Sequence, residues 1–355
     1  MYLTTRPLIT AAVVLVGVNA VAVTPVAAAS PDALVRAVQL TSFDPNNWLD
    51  VLQLASTNAT DIYDHFAPAP FPDLQQFAAN LPTYFEGTRS ISSDLTAAGN
   101  AAIVPFEPTN PEPYIYPSLD PTSSNIGISL LGAHLFDIPL PGKAGLLDLL
   151  TNGLQFTIGI CPLCTHVDID VLALLIGQTA ANQVEPYLNF VGSPLSGVLW
   201  GDIGTTLGPT VQFDNDVTAI GAALSGPTPD YMTALQELLN MPANVTNAFL
   251  NGYGNIDLST LLNDFGAQLP ASDANFVLDL GGLLSPAGSL LNGIGFSETL
   301  GDCSIGCATL DVPTSAVGPI ASMIGLDQAI AEAIGWDGVG NPLAGLLSEL
   351  TGGLL

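Results

Sequence analysis

Six prolines, Pro105, Pro108, Pro111, Pro113, Pro117 and Pro121, fall within seventeen residues of this 355-residue chain. Proline fixes φ and carries no amide hydrogen, so this stretch is neither a continuous helix nor a central strand. It reads as a linker or extended arm over 105–122, and the hydrophobic period changes across it. On the N-terminal side the period is helical. Asp44 offers a cap and Pro45 a first helical residue; Trp48, Val51, Leu52, Ala55, Ala59, Ile62 and Phe66 then recur three and four apart, which predicts an amphipathic helix. After the break at Pro68 to Pro72, Leu74, Phe77, Ala78, Leu81 and Phe85 predict a second.

On the C-terminal side the period drops to two. Ile126, Ile128 and Leu130 alternate with small residues. Leu154, Phe156, Ile158 and Ile160, then Val167, Ile169 and Val171, do likewise, as do Phe276, Leu278 and Leu280; Val211-Gln212-Phe213 suggests a shorter strand. Helices return over Pro229–Gly252, with Thr228 as cap and Pro242 restarting the turn, and around 327–335 and 343–350. The expected fold is therefore mixed α/β of the α+β type. N-terminal amphipathic helices (30–104) and the Pro-rich linker (105–122) precede a Gly/Leu-rich strand-and-helix domain (123–355).

Composition narrows the function classes. Acidic residues number 32 against 4 basic ones, for a net charge of −28, and 48% of the chain is apolar. Only Arg6, Arg36, Arg89 and Lys143 are basic, so no fixed positive charge lies between 144 and 355. A phosphate backbone has nothing to bind to, which excludes nucleic acid as a partner. The apolar content excludes a disordered chain. Arg6, the apolar run from Leu8 to Val23 and the small residues Ala27-Ala28-Ala29 have the form of a secretory signal over 1–29; an uncleaved membrane anchor is the alternative. Export makes disulfides the default state of the cysteines. Cys161 and Cys164 form one close pair and Cys303 and Cys307 another, each at a turn between apolar runs, which favours local bridges. A four-thiolate zinc site or a redox pair is the competing use. A weak echo links the pairs: Asp168 and Asp311 each follow the second cysteine by four residues, as a duplication would leave them.

The search for chemistry yields no catalytic constellation, no metal site and no cofactor motif, and the chain is not expected to be an enzyme. No Gly-x-Ser-x-Gly elbow occurs; Ser129 and Ser196 are near misses without a histidine at hand. His65, His134 and His166 are isolated in sequence. Lys143 lacks a phosphate-binding loop, and Gly338-Val-Gly340 lacks the third glycine of a dinucleotide fingerprint. Carboxylates remain. Asp168 and Asp170 share one face if their segment is a strand, and Asp214 and Asp216 do likewise in a loop or strand end. Such pairs suit a solvated face, a hard cation, or a passage that concentrates cations.

Several stretches carry a resemblance. Arg6-Pro-Leu-Ile-Thr10, Ala22-Val-Thr-Pro-Val26, Val38-Gln-Leu-Thr-Ser42, Trp48-Leu-Asp-Val51 and Ala55-Ser-Thr-Asn-Ala-Thr60 resemble the outer-membrane porin GjpA family of mycolate-bearing actinobacteria. Asn247-Ala-Phe-Leu-Asn-Gly-Tyr253 and Leu280-Gly-Gly-Leu-Leu-Ser-Pro-Ala-Gly288 are similar in the same way. Comparable Ala/Gly/Leu-rich stretches occur in the secreted PE and PPE proteins of those bacteria. The resemblance implies export to the cell envelope or outer membrane, contact with envelope lipids, and passive passage of small solutes. A conventional single-chain transmembrane barrel is not expected, because it needs at least about eight strands of about ten residues and only about five short ones are visible. A pore would then be shared among subunits of a homo-oligomer, favour cations, and set Asp168, Asp170, Asp214 and Asp216 toward the passage. The alternative is a secreted soluble or surface-associated structural or interaction protein without channel activity.

Overall fold

A computed structural model describes residues 47–106, 115, 124–130, 133–140, 147, 150–151, 154–158, 165–169, 173, 178–258, 275–302 and 306–344. Three helices open it: α1 (Asn47–Phe66), α2 (Pro72–Phe85) and α3 (Ile91–Ile103). The expected cap at Asp44 lies outside the described residues, as does the signal segment. The predicted stripe on α1 is only half used. Val51, Ala55 and Ile62 are buried, while Trp48 and Leu52 stay exposed. Pro72 begins α2 after Phe71, whose φ of 51° is left-handed; the Phe71 ring meets Phe66 edge-on with centroids 5.2 Å apart. Ser90 caps α3 by accepting the amide hydrogen of Ser93, leaving one less unpaired donor in the first turn.

The strands are β1 (Ser124–Leu130), β2 (Ala133–Leu140), β3 (Leu154–Ile158), β4 (Thr165–Ile169), β5 (Gly254–Asp257), β6 (Asn275–Leu280), β7 (Ile294–Asp302) and β8 (Gly306–Val312). Six form an open antiparallel sheet in the order β2-β1-β8-β7-β6-β5, and β3 and β4 pair by themselves. The architecture is α+β and not a barrel. The sheet ends at β2 and β5 instead of closing on itself. Among the described residues, no helix is long and apolar enough to cross a membrane.

Two further long helices, α4 (Pro194–Ser225) and α5 (Tyr231–Leu250), and the later α6 (Pro319–Ala333) complete the frame. α4 corrects the strand expected at Val211-Gln212-Phe213, which lies inside a 32-residue helix. Three residues of alternation are too few to outweigh the helix cooperativity of their flanks. The cap of α5 is Asp230 rather than Thr228: its Oδ1 accepts the amide hydrogens of Met232 at 3.1 Å and Thr233 at 3.0 Å. Pro242 sits within α5 without ending it. α6 begins at Pro319, eight residues before the expected position, with proline in the first turn where no amide hydrogen is needed. The helix expected at 343–350 falls largely outside the described residues.

One contact set binds the early helices to the late chain. α6 packs on α1, α2, α3 and α4. Asn80 on α2 donates to the Ile334 carbonyl at 2.8 Å and to Asp94 of α3 at 3.3 Å. Arg89 donates through Nε to Asp94 Oδ2 at 2.6 Å and through Nη2 to the Ile334 carbonyl, and the Tyr84 hydroxyl donates to the same carboxylate. Burial would raise the Asp94 pKa, but the bonds from Arg89 and Tyr84 outweigh it and hold the group below the usual carboxylate range. Within the proline-rich stretch, Ile115 is buried with Ile62, Ala321 and Ile324, and its amide donates to Gln328 Oε1 at 2.9 Å. At that point the segment expected to be a linker or extended arm reaches a core cluster.

Candidate functional site

The N-terminal half of α4 is a glycine ridge. Gly197, Gly201, Gly204 and Gly208 recur every three or four residues and so line one face. Along it the helix meets backbone directly: a Cβ on Gly197 would stand 1.7 Å from the Gly288 carbonyl oxygen, and one on Gly204 2.6 Å from that of Gly281. Trp200 on the same half packs with Leu280 and Val317, and its indole Nε1 donates to the Asp279 carbonyl at 3.1 Å. This half is anchored in the molecule.

The C-terminal half of α4 packs on α5, and here the usual amphipathic arrangement is reversed. The buried face of α5 consists of Ala234, Glu237, Asn240, Ala243 and Ala248. Six of its large apolar residues, Tyr231, Met232, Leu235, Leu238, Leu239 and Phe249, are exposed, while Met241, Val245 and Leu250 are half-buried. On α4, Asp216 is the buried residue of this half, and Phe213, Val217 and Leu224 are exposed. Carboxylates and amides thus occupy the seam between the helices and hydrocarbon faces out.

The seam has a defined geometry. Asp216 is 3% exposed and Glu237 5%. Asp216 Oδ1 accepts from Gln212 Nε2 at 2.8 Å and from Asn244 Nδ2 at 3.2 Å, and Asn244 Oδ1 in turn accepts from Asn47 Nδ2 of α1 at 3.3 Å. Asp216 Oδ2 is buried without a hydrogen-bond partner. Burial pushes the Asp216 pKa up despite the two amide donors. Burial, and then the negative charge of Asp216, push that of Glu237 up. Both shifts favour holding a proton in a seam to which no described residue brings a cation.

Two of the four aspartates expected to face a passage, Asp214 and Asp216, lie on α4. Asp214 and Asp216 were expected on one face of a loop or strand end. The helix turns about 200° over two residues, which leaves Asp214 exposed and Asp216 buried. Asp168 belongs to β4, in the separate β3–β4 hairpin, opposite Gln155; Asp170 lies outside the described residues. Cys307 is the second residue of β8, buried and disulfide-bonded rather than free. Cys161, Cys164 and Cys303 lie outside the described residues, so the expected pairings do too. In sequence Cys161 and Cys164 lie between β3 and β4, whereas Cys303 lies between β7 and β8 and Cys307 within β8; both strand pairs are antiparallel. The second lies within the six-stranded sheet and the first does not.

Sequence reasoning missed a second acid pair. Asp73 in the first turn of α2 raises the proton affinity of Asp327 on α6 across the helix contact. Burial, and then the charge of Asp73, push the Asp327 pKa up to about 7; Asp73 is raised by burial, with Oδ1 buried and unpartnered. The residues are 254 positions apart, and no local pattern announces them. Glu237 was legible: on a helical wheel it shares a face with Asn240 and Asn244, opposite the leucines.

Among the described residues, no group of three or more His, Cys, Asp or Glu side chains is placed to hold a metal ion. His65 sets Nδ1 2.9 Å from the Asp61 carbonyl of its own helix. No protein-family model, curated protein or solved structure matches this chain.

Proposed function

We propose that this chain is an exported cell-envelope protein that works as an assembly of several copies, a porin or channel component passing small and preferentially cationic solutes between subunits. The observation that carries the reading is the α4–α5 pair, with carboxylates and amides inside and hydrocarbon outside. That inversion suits helices whose outer surface is meant for an apolar neighbour, either envelope lipid or another subunit. The resemblance to the GjpA porins and the signal-like N-terminus support the compartment. The charge supports the selectivity: at −28 with 4 basic residues, any passage between copies would have a negative potential and enrich cations. An open sheet offers no lumen, so conduction would require more than one chain.

A second reading is favoured by the position of Asp216, which is turned into a closed seam instead of toward solvent. On that reading the protein is a surface-associated structural or interaction protein without channel activity. Planar-bilayer recording of the purified chain under a KCl gradient separates the two. Discrete conductance steps with a cation-directed reversal potential, weakened by Asp214→Asn, are the expected result. A silent bilayer at protein concentrations that give oligomers would leave only the non-conducting role.

A further inference from the structure

We propose that the apolar stripe of α5 is a self-association surface, on which α5 of one copy packs against α5 of a second copy. The stripe comprises Tyr231, Met232, Leu235, Leu238, Leu239 and Phe249, and every one of them is between 41% and 71% exposed. Their spacing puts all six within about a third of the helix circumference. A helix that needed only to bury its own leucines would turn this face toward α4. Instead Ala234, Glu237, Asn240 and Ala243 take that side, at the cost of burying a carboxylate with no cation beside it among the described residues. A contiguous apolar stripe of this kind suits a surface that is covered by something else.

Area, charge and symmetry select a second copy as the cover. Six side chains of about 200 Å² each, roughly half exposed, present about 700 Å², close to the roughly 800 Å² per partner of a standard interface. The stripe contains no ionised group, so a copy approaching it meets no like charge despite the net −28 of each chain. Anionic headgroups call for lysine and arginine around an apolar face, and residues 144–355 contain neither. Insertion of the helix pair end-on into hydrocarbon would carry Asp230 with it, at the turn where α5 begins and where its bonds to Thr233 and Met232 hold its pKa below the ordinary value. An antiparallel two-fold contact, by contrast, lays the Tyr231 end of one stripe on the Phe249 end of the other over a helix about 30 Å long.

This inference deepens the assembly part of the proposed function and is independent of conduction. A dimer that passes no current would leave the pairing intact and remove the channel.

The test is the mass of the full chain in detergent-free buffer, by light scattering and sedimentation equilibrium over a micromolar concentration series. The wild-type protein is expected to be dimeric or a higher even oligomer. Leu235→Glu with Leu239→Glu is expected to give monomers with an unchanged far-UV spectrum, and Leu235→Met with Leu239→Met to retain the dimer. Should the glutamate variant fail to fold, Leu235→Ala with Leu239→Ala removes area without charge and is expected to raise the dissociation constant at least about tenfold. A monomeric wild-type chain overturns the proposal, whether it stays free or binds phosphatidylcholine vesicles added as a probe. So does an oligomer that the glutamate pair leaves intact, or an alanine pair whose dissociation constant does not move.

Discussion

The two halves of α4 are one continuous helix with opposite surroundings. From Gly197 to Gly208 the side chains are absent where backbone approaches, and the helix is wedged against the Gly281–Gly288 segment and the start of α6. From Val211 to Ser225 it meets α5 through polar groups and shows Phe213, Val217 and Leu224 to the outside. The first half is specified by steric fit and the second by what it leaves uncovered. Composition differs as well: the first half holds Gly197, Gly201, Gly204 and Gly208, while the second holds only Gly221 and is richer in alanine.

The sharpest way to break this comparison is one substitution made in each half. Gly197→Ala places its methyl group on the backbone of Gly288, which has no side chain to swing aside. We expect a loss of about 3 kcal/mol or more, or failure to fold. Gly221→Ala meets nothing within 4 Å and should gain about 0.5–1 kcal/mol by restricting the unfolded chain. Urea unfolding of the pair checks both signs; equal losses would mean that the two halves are packed alike.

Next in size is the anchor itself. Trp200→Ala empties a buried site next to Gly293 and removes the bond to the Asp279 carbonyl. A cost of about 3–5 kcal/mol is expected, read as a lower midpoint with little change in slope.

The acid pairs sharpen the comparison through pH. A carboxyl whose folded pKa is raised binds protons more tightly folded than unfolded, so its contribution is fully present below the unfolded value and is lost as pH rises through the folded one. For Asp327 that window runs from about 4 to about 7. Asp327→Asn should therefore raise the melting temperature at pH 7.5 and leave it nearly unchanged at pH 4. Asp94 has the opposite sign: its pKa is lowered, so its support is present above the unfolded value and is lost as pH falls through the folded one. Melting curves for the Asp327→Asn and Asp94→Asn variants across pH 2.5 to 8 would show one profile flattened near neutrality and the other at the acid end.

The smallest effect on folding is expected on the exposed stripe. Leu239→Ser should change monomer stability by no more than about 0.5 kcal/mol, measured below the dissociation range. A larger loss would mean that Leu239 belongs to the core and that the two halves of the α4–α5 pair differ less than their exposure indicates.

Much of the fold was written locally. The helical stripe Val51, Ala55 and Ile62, the proline at the head of α2, and the alternation around Ile126 and Phe276 each depend on neighbours two to four residues away, and each identified its element. Elements with a competing local signal were misassigned: Val211-Gln212-Phe213 alternates like a strand, and Thr228 precedes the helix as plausibly as Asp230. The strands β7 and β8 escaped notice because Gly, Ser, Thr and Cys dilute their pattern; pairing with β6 and β1 is what orders them.

The candidate site was less legible. Four aspartates were singled out by spacing, but spacing decides a shared face only once the element is known, and a helix at 214–216 separates what a strand would have joined. What the sequence determined by itself was charge, because composition does not depend on folding: −28 with 4 basic residues holds in any conformation. It also determined the switch from a helical to an alternating period across Pro105–Pro121, because backbone geometry imposes those periods locally. Only the tertiary structure decided which side of each helix is inside. Asp73 and Asp327 meet across 254 residues, Arg89 reaches the end of α6, and the polar rather than the leucine face of α5 turns to α4. Those outcomes are set by long-range packing, in which the glycine ridge fixes where α4 lies and α5 follows it.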